Sequence, residues 1–260
     1  MKPVLILFGT HGDEFILRQC LSYIDPNLSF LYDTLNVNEQ AIGKNVRYIK
    51  HDMNRIAPGD FDSNDYETKR SSEVQEIMKQ YEIVIDIHGT KSNIGSFIIL
   101  PKVNLSNLMM ASLFESENIV FWQSEVRKEV GPVTQFCPIG MEIETGPMNE
   151  IMIEKLGRNI EIFLKNFQLR YSYKEMFNKI KSKNVFSVSA RLDTEVNIDI
   201  PDKDFEMVNI DNVEYYTLLT NNPYKTTKCY LMKAVDIDNL LITPLDDANA
   251  FIKDIISIEQ

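Results

Sequence analysis

Residues 3–9, Pro-Val-Leu-Ile-Leu-Phe-Gly, form an unbroken apolar run that stops at a glycine. A run of that length without alternation is the pattern of a strand buried on both faces of a parallel or mixed sheet. Runs of similar length and β-branched or aromatic character recur at 28–35, 82–87, 96–100 and 118–123, and predict further strands. Between them the spacing becomes helical over 14–24, 70–81 and, most clearly, 148–168. In that last stretch Ile151, Met152, Leu156, Ile160, Phe163, Leu164 and Phe167 recur at three or four, with acids early and lysine late. Strand alternating with helix predicts an α/β fold, a mixed central sheet flanked by helices. Beyond about residue 171 the rhythm shortens. β-like segments at 185–189, 194–200, 205–210 and 228–234 are separated by Asp, Asn, Pro and Lys clusters. The pattern therefore divides the chain into an α/β domain over 1–170 and a smaller β-rich C-terminal domain over 171–260, with no Ser/Gly linker between them.

Composition narrows the partners. The 260 residues carry 38 acidic and 27 basic side chains, a formal charge of −11, which repels phosphate backbones and anionic lipid. Nucleic acid and membrane surfaces are not expected partners. No stretch approaches the ~20 apolar residues of a spanning helix, and the apolar opening lacks a cleavage pattern, so a cytoplasmic location is the expectation. Cys20, Cys137 and Cys229 are odd in number and widely spaced, which reads as free, packed thiols. Any chemistry that needs imidazole must use His11, His51 or His88.

His11 and Glu14 stand three apart directly after the first predicted strand, so one turn points both side chains the same way. Imidazole and carboxylate are normal Zn²⁺ ligands, and two from one turn plus a distant third is the pattern of a catalytic site open to water. His88 follows the strand at 82–87. If the two strands are parallel, both ends open on one crevice, which makes His88 the third ligand. Arg47 and Arg55 bracket Asp52 and Asn54 on a loop. Their guanidinium forks suit a carboxylate or a carbonyl oxygen, although a solvated loop with ordinary salt bridges has the same composition. Glu144 ends the last apolar segment before the long helix. It reads either as a general base beside a metal-bound water or as an acid that complements the helix dipole.

In order, these blocks resemble the succinylglutamate desuccinylase and aspartoacylase family, zinc-dependent relatives of the metallocarboxypeptidases. The motifs are H-G-D-E at His11–Glu14, R-Y-I at Arg47–Ile49, D-M-N-R at Asp52–Arg55, D-I-H at Asp86–His88 and I-E-T-G-P at Ile143–Pro147. The resemblance implies a zinc exopeptidase-like sheet with a β-rich C-terminal domain, and Zn²⁺ held by His11, Glu14 and His88. It implies that Arg47 polarises the scissile carbonyl, Asn54 and Arg55 hold the substrate carboxylate, and Glu144 is the general base. Asp52 would brace the arginines and Asp86 would orient the metal site. His51 is given no role and reads as exposed or structural, Asp13 as a turn or supporting residue, and Trp122 as core.

Two positions depart from the aspartate-specific members. The arginine that reads an acidic side chain there corresponds to Thr134 here, with Arg127 the nearest alternative, and a C-terminal tyrosine corresponds to the stretch at Phe251. The implied activity is hydrolysis of an N-acyl amino acid, or a related small acyl compound, whose side chain is not acidic. A carboxypeptidase-like activity on peptides or esters and a non-catalytic carboxylate binder are the alternatives. The expected partner is the small-molecule substrate, and a homodimer or a monomer fits equally well.

Overall fold

The computed structural model describes residues 2–122, 130–169, 171–195, 198–220 and 227–238. Its strands are β1 (Val4–Phe8), β2 (Tyr32–Asn36), β3 (Ile83–Gly89), β4 (Gly95–Leu100), β5 (Asn118–Phe121), β6 (Ile139–Gly146), β7 (Asn184–Asp193), β8 (Met207–Ile210), β9 (Val213–Leu218) and β10 (Thr227–Ala234). They join one mixed sheet in the order β2-β1-β3-β6-β4-β5-β7-β10-β9-β8. Strands β2, β1, β3 and β6 are parallel, and β4 turns antiparallel to β6. Strands β4, β5 and β7 are parallel again, and β7, β10, β9 and β8 close the far end as antiparallel pairs. The fold is thus α/β, with a β-rich C-terminal part carried on the same sheet.

Helices α1 (Glu39–Lys44), α2 (Met53–Ile56), α3 (Tyr66–Met78), α4 (Leu105–Ala111), α5 (Glu150–Gln168) and α6 (Tyr173–Lys181) each begin after an Asn, Asp or Ser whose side chain accepts a backbone N–H. Such caps satisfy donors that the first turn leaves open. One face of the sheet, with Ile6, Phe8, Ile85, Ile87, Met141 and Ile143, packs on Leu156, Ile160, Phe163 and Leu164 of α5. The other, with Leu5, Leu7 and Val84, packs on Met53 of α2 and on Val74 and Met78 of α3. No helix among the described residues is long and apolar enough to cross a membrane. The three cysteines are buried and free, and burial pushes Cys20 and Cys137 up to about 12.

Several elements differ from their sequence signatures. The helix expected at 14–24 is a 3₁₀ helix over Gly12–Tyr23, whose buried Glu14, Leu17 and Cys20 recur at three. That spacing suits three residues per turn. The strand expected at 28–35 starts at Tyr32, because Asp25 caps a 3₁₀ turn at Pro26–Leu28. Helix α3 starts from its Asp65 cap, ahead of the expected 70, and ends at Met78. No strand forms over the described part of 194–200, whereas β9 and the capping-box helix α6 lie where neither was expected.

Candidate active site

Strand β1 delivers the first two ligand candidates through two glycines. Gly9 has φ +70°, a conformation that favours glycine, and turns the chain out of the sheet. At Gly12 a Cβ would lie 2.2 Å from the backbone of Ala41, so only glycine lets the 3₁₀ helix start against α1. Side chains three apart eclipse in that geometry, and Glu14 Oε1 sits 2.9 Å from His11 Nδ1. Strand β3, parallel to β1, brings His88 to the same crevice, with His88 Nδ1 at 3.2 Å from both Glu14 Oε2 and His11 Nδ1. All three side chains are buried.

The other nitrogen of each imidazole is already committed. His11 Nε2 lies 3.0 Å from Asp52 Oδ1, and His88 Nε2 lies 2.9 Å from Asp86 Oδ2. A carboxylate only accepts, so each Nε2–H is given to one; each Nδ1 then presents its lone pair to a cation in the crevice or, without one, carries a proton toward Glu14. Asp86 is fixed in turn by the Thr10 hydroxyl, which donates to it at 2.8 Å. Carboxylate–histidine pairs of this kind orient metal ligands. Two nitrogen lone pairs 3.2 Å apart beside a carboxylate need a proton or a cation between them. Their spacing is close to the ~3.3 Å edge of a tetrahedron with ~2.0 Å bonds, so the donor set fits Zn²⁺.

The electrostatics agree. Burial alone would lower both imidazoles, but the Glu14 charge with hydrogen bonds to Asp52 and Glu14 holds His11 above its ordinary value. The Asp86 charge and hydrogen bond hold His88 well above it. Burial would raise Glu14, yet the two histidines keep it below the usual carboxylate range, and His11 with Arg55 and Arg47 does the same for Asp52. Each shift comes from imidazoles and carboxylates held against one another in the crevice.

Arg47, Asp52 and Glu144 complete the crevice. Arg47 donates from an NH group to Glu14 Oε1 at 3.1 Å and lies 3.5 Å from Asp52, with a quarter of its side chain exposed. Asp52 bridges His11 and Arg47 and also caps α2. Glu144 is the register partner of His88 across β3 and β6, so both side chains leave one face of the sheet side by side. Its carboxyl has no hydrogen bond or ion pair among the described residues. Part of its surface faces solvent, but the packed walls and the Glu14 charge push it up to about 8.

The remaining expected residues divide. Asn54 is buried, and its Nδ2 donates to Glu142 at 3.0 Å while its Oδ1 accepts the Val133 backbone N–H at 3.1 Å. That N–H can only donate, which fixes the amide's orientation. Asp86, His88 and Glu142 form a second buried triad, whose polar atoms are engaged by the His88–Asp86 pair and by the Asn54 NH₂, which donates to Glu142. Arg55 is exposed and donates to the Asn54 carbonyl at 2.9 Å. Arg127 and Phe251 lie outside the described residues. Thr134 is fully buried in the turn over Val133–Phe136 and supplies no charge. Among the described residues the His51 side chain pairs only with Asp65, at 3.6 Å, Asp13 is exposed, and Trp122 packs edge-on against Tyr230. Glu142 was not singled out by the sequence reading, although its spacing of two from Glu144 on a strand places both on one face.

The succinylglutamate desuccinylase/aspartoacylase catalytic domain matches residues 1–168. The chain belongs to that family. Among family relatives it is 27% identical over 183 residues to a probable aspartoacylase of Acaryochloris marina, a match covering 63% of this chain and 62% of that one. It is 32% identical over 134 residues to an N-acyl-aromatic-L-amino acid amidohydrolase (carboxylate-forming) of Xenopus laevis, covering 45% and 44%. The matched stretch thus spans less than two thirds of either relative. Murine aminoacylase 3 shares the fold at a TM-score of 0.71 and 15% identity over 90% of this chain and 95% of that one. The succinylglutamate desuccinylase of Chromobacterium violaceum does so at 0.65 and 15%, over 90% and 85%.

Proposed function

We propose that the chain is a zinc-dependent amidohydrolase that cleaves the amide of an N-acyl amino acid or related small acyl compound. The observation that carries this reading is the convergence of His11, Glu14 and His88 beside a Glu144 carboxyl that no other group among the described residues engages. Zinc on those three residues would supply Lewis acidity and bring a water's pKa toward neutrality. Glu144 then takes the proton of the attacking water and returns it to the departing nitrogen. Arg47, already turned into the crevice, donates to the scissile carbonyl oxygen as negative charge develops there. Arg55 supplies the positive charge for the substrate carboxylate, and Asn54 adds the amide proton not given to Glu142. Arg127 is a further candidate. A carboxylate binder would have no use for a free base beside the metal ligands.

We propose the same division of labour for the chain, with residues 1–170 as the catalytic domain and 171–260 as a smaller C-terminal domain. The relatives' names point to acyl amino acids, and the buried, uncharged Thr134 points away from an acidic side chain. A site without the charged reader loses its preference for the charged substrate. Turnover of a panel of N-acetyl amino acids by the zinc-loaded protein tests this. The expected result is higher kcat/KM for neutral side chains than for N-acetylaspartate, and a clear preference for N-acetylaspartate would overturn the substrate assignment.

A further inference from the structure

Glu67 sits in the first turn of α3, and its carboxylate is buried although the reaction outlined above does not use it. Four donors converge on it. The backbone N–H groups of Ile49 and Lys50 donate at 2.7 Å each, the His51 N–H donates to the same oxygen as Lys50, and Asn38 Nδ2 donates at 2.8 Å. Asn38 is itself buried and caps α1 through its other amide atom. Three successive amides aimed at one point form a nest for an anion. Here the protein fills the nest from beneath with its own carboxylate, in charge-assisted hydrogen bonds about twice as strong as neutral ones.

The other ties of this loop to the α3 end are the ion pairs of Lys50 and His51 with the Asp65 cap, at 2.9 and 3.6 Å, and pairs open to solvent hold weakly. Residues 47–51 lie outside any helix or strand, and Tyr48 and Ile49 are 42% and 37% exposed. Yet the loop is flanked by the two side chains that meet the ligand set from outside. Arg47 stands two residues before Ile49 and contacts Glu14, and Asp52 follows His51 and contacts His11. The Arg47 carbonyl also accepts the Gly12 N–H at 3.1 Å, next to His11.

We propose that Glu67 is a positioning residue, the anchor by which α3 fixes the backbone from Arg47 to Asp52 and so aims the Arg47 guanidinium at the substrate carbonyl. The catalytic half of this statement rests on the proposed role of Arg47. A glutamine at 67 offers one acceptor oxygen, and its NH₂ would face N–H donors, so the loop would come away from the helix.

The test uses the zinc-loaded full chain as wild type, Glu67→Gln, Arg47→Ala and the double variant. In the wild type, amide exchange at Ile49, Lys50 and His51 is slowed at least ~100-fold relative to an unstructured chain, despite the exposed loop. Glu67→Gln abolishes that protection and speeds exchange at Gly12, the amide that reads the position of Arg47. Its kcat falls about 100-fold, the scale of a 1 Å misplacement, while KM and zinc content hold. On the Arg47→Ala background the same change alters kcat by less than about threefold, because it acts through Arg47. Equal losses in both backgrounds, or free-chain exchange at 49–51 in the wild type, overturn the proposal. If Glu67→Gln does not fold, the wild-type exchange decides. If no acyl amino acid is turned over, the reaction assignment fails, while exchange at 49–51 and at Gly12 still decides whether Glu67 anchors the loop.

Discussion

The two faces of strands β1, β3 and β6 share one backbone and differ in what they carry at the carboxyl ends. On one face Ile6, Phe8, Ile85, Ile87, Met141 and Ile143 are apolar from end to end and sealed by α5. On the other, Leu5, Leu7 and Val84 give way toward the carboxyl ends to Asp86, His88, Glu142 and Glu144. Along β3 the change takes a single step, from Val84 to Asp86. The apolar face earns stability from burial alone. Burying ionisable groups works against the fold unless each finds a partner, and the charged face meets that demand with pairs: His88 with Asp86, Glu142 with Asn54, His11 with Asp52. Glu144 is the exception among the described residues, and the exception is the group assigned to move protons.

If that division is real, changes on the two faces have separable consequences. The largest effect is expected at Glu144. Glu144→Gln keeps the shape and removes the base, so kcat falls by about 1,000-fold, equivalent to ~4 kcal/mol of transition-state stabilisation, with zinc content unchanged. Steady-state kinetics with parallel metal analysis checks it, and a loss below tenfold breaks the assignment. On the opposite face, Ile85→Ala opens a cavity in a fully buried site and lowers the unfolding free energy by about 2–5 kcal/mol in urea titrations. Its kcat per folded molecule stays at the wild-type value, whereas a large loss of kcat would show that the faces are coupled.

The smallest effect concerns pH. Glu144 has a folded value of about 8 against an ordinary 4.5, so between those values the folded protein holds a proton that the unfolded chain has released. Its contribution to stability is present below about 4.5 and is lost as pH rises toward about 8. In EDTA, Glu144→Gln is therefore more stable than the wild type by about 1 kcal/mol at the upper end of that window, solvent at the partly exposed carboxyl screening the rest. The gain vanishes near pH 4.5. A gain independent of pH would contradict the cause given for the shift.

The same contrast explains what the sequence disclosed. Continuous apolar runs betray strands buried on both faces, so β1, β3 and β4 were readable, and the apolar stripe of α5 was readable from its spacing. His11, Glu14 and His88 were readable because they stand at the ends of such runs, where parallel strands must open on one crevice. The antiparallel end of the sheet was harder. In β9, Val-Glu-Tyr-Tyr-Thr-Leu mixes exposed and buried positions and follows a turn with Asp211 and Asn212 in the left-handed region. Helix α6 rests on a Ser172–Glu175 capping box inside a stretch whose composition resembles its β neighbours. The 3₁₀ helix carried a period of three that a helical reading absorbed into 3.6. Glu67 had no signal at all, because an acid in a helix's first turn is common and three of its four donors are backbone amides 16 to 18 residues away. Tertiary hydrogen bonds to main chain leave no mark on side-chain patterns.

The central claim is that His11, Glu14 and His88 form one metal site. It is tested most directly by counting tightly bound zinc in the purified wild type beside a Glu14→Ala, His88→Ala double variant, both exposed to excess zinc and desalted. The account predicts about one zinc per chain in the wild type and almost none in the variant, since a structured site needs at least three protein ligands. A folded wild type that retains no zinc, or a variant that retains as much as the wild type, would contradict it.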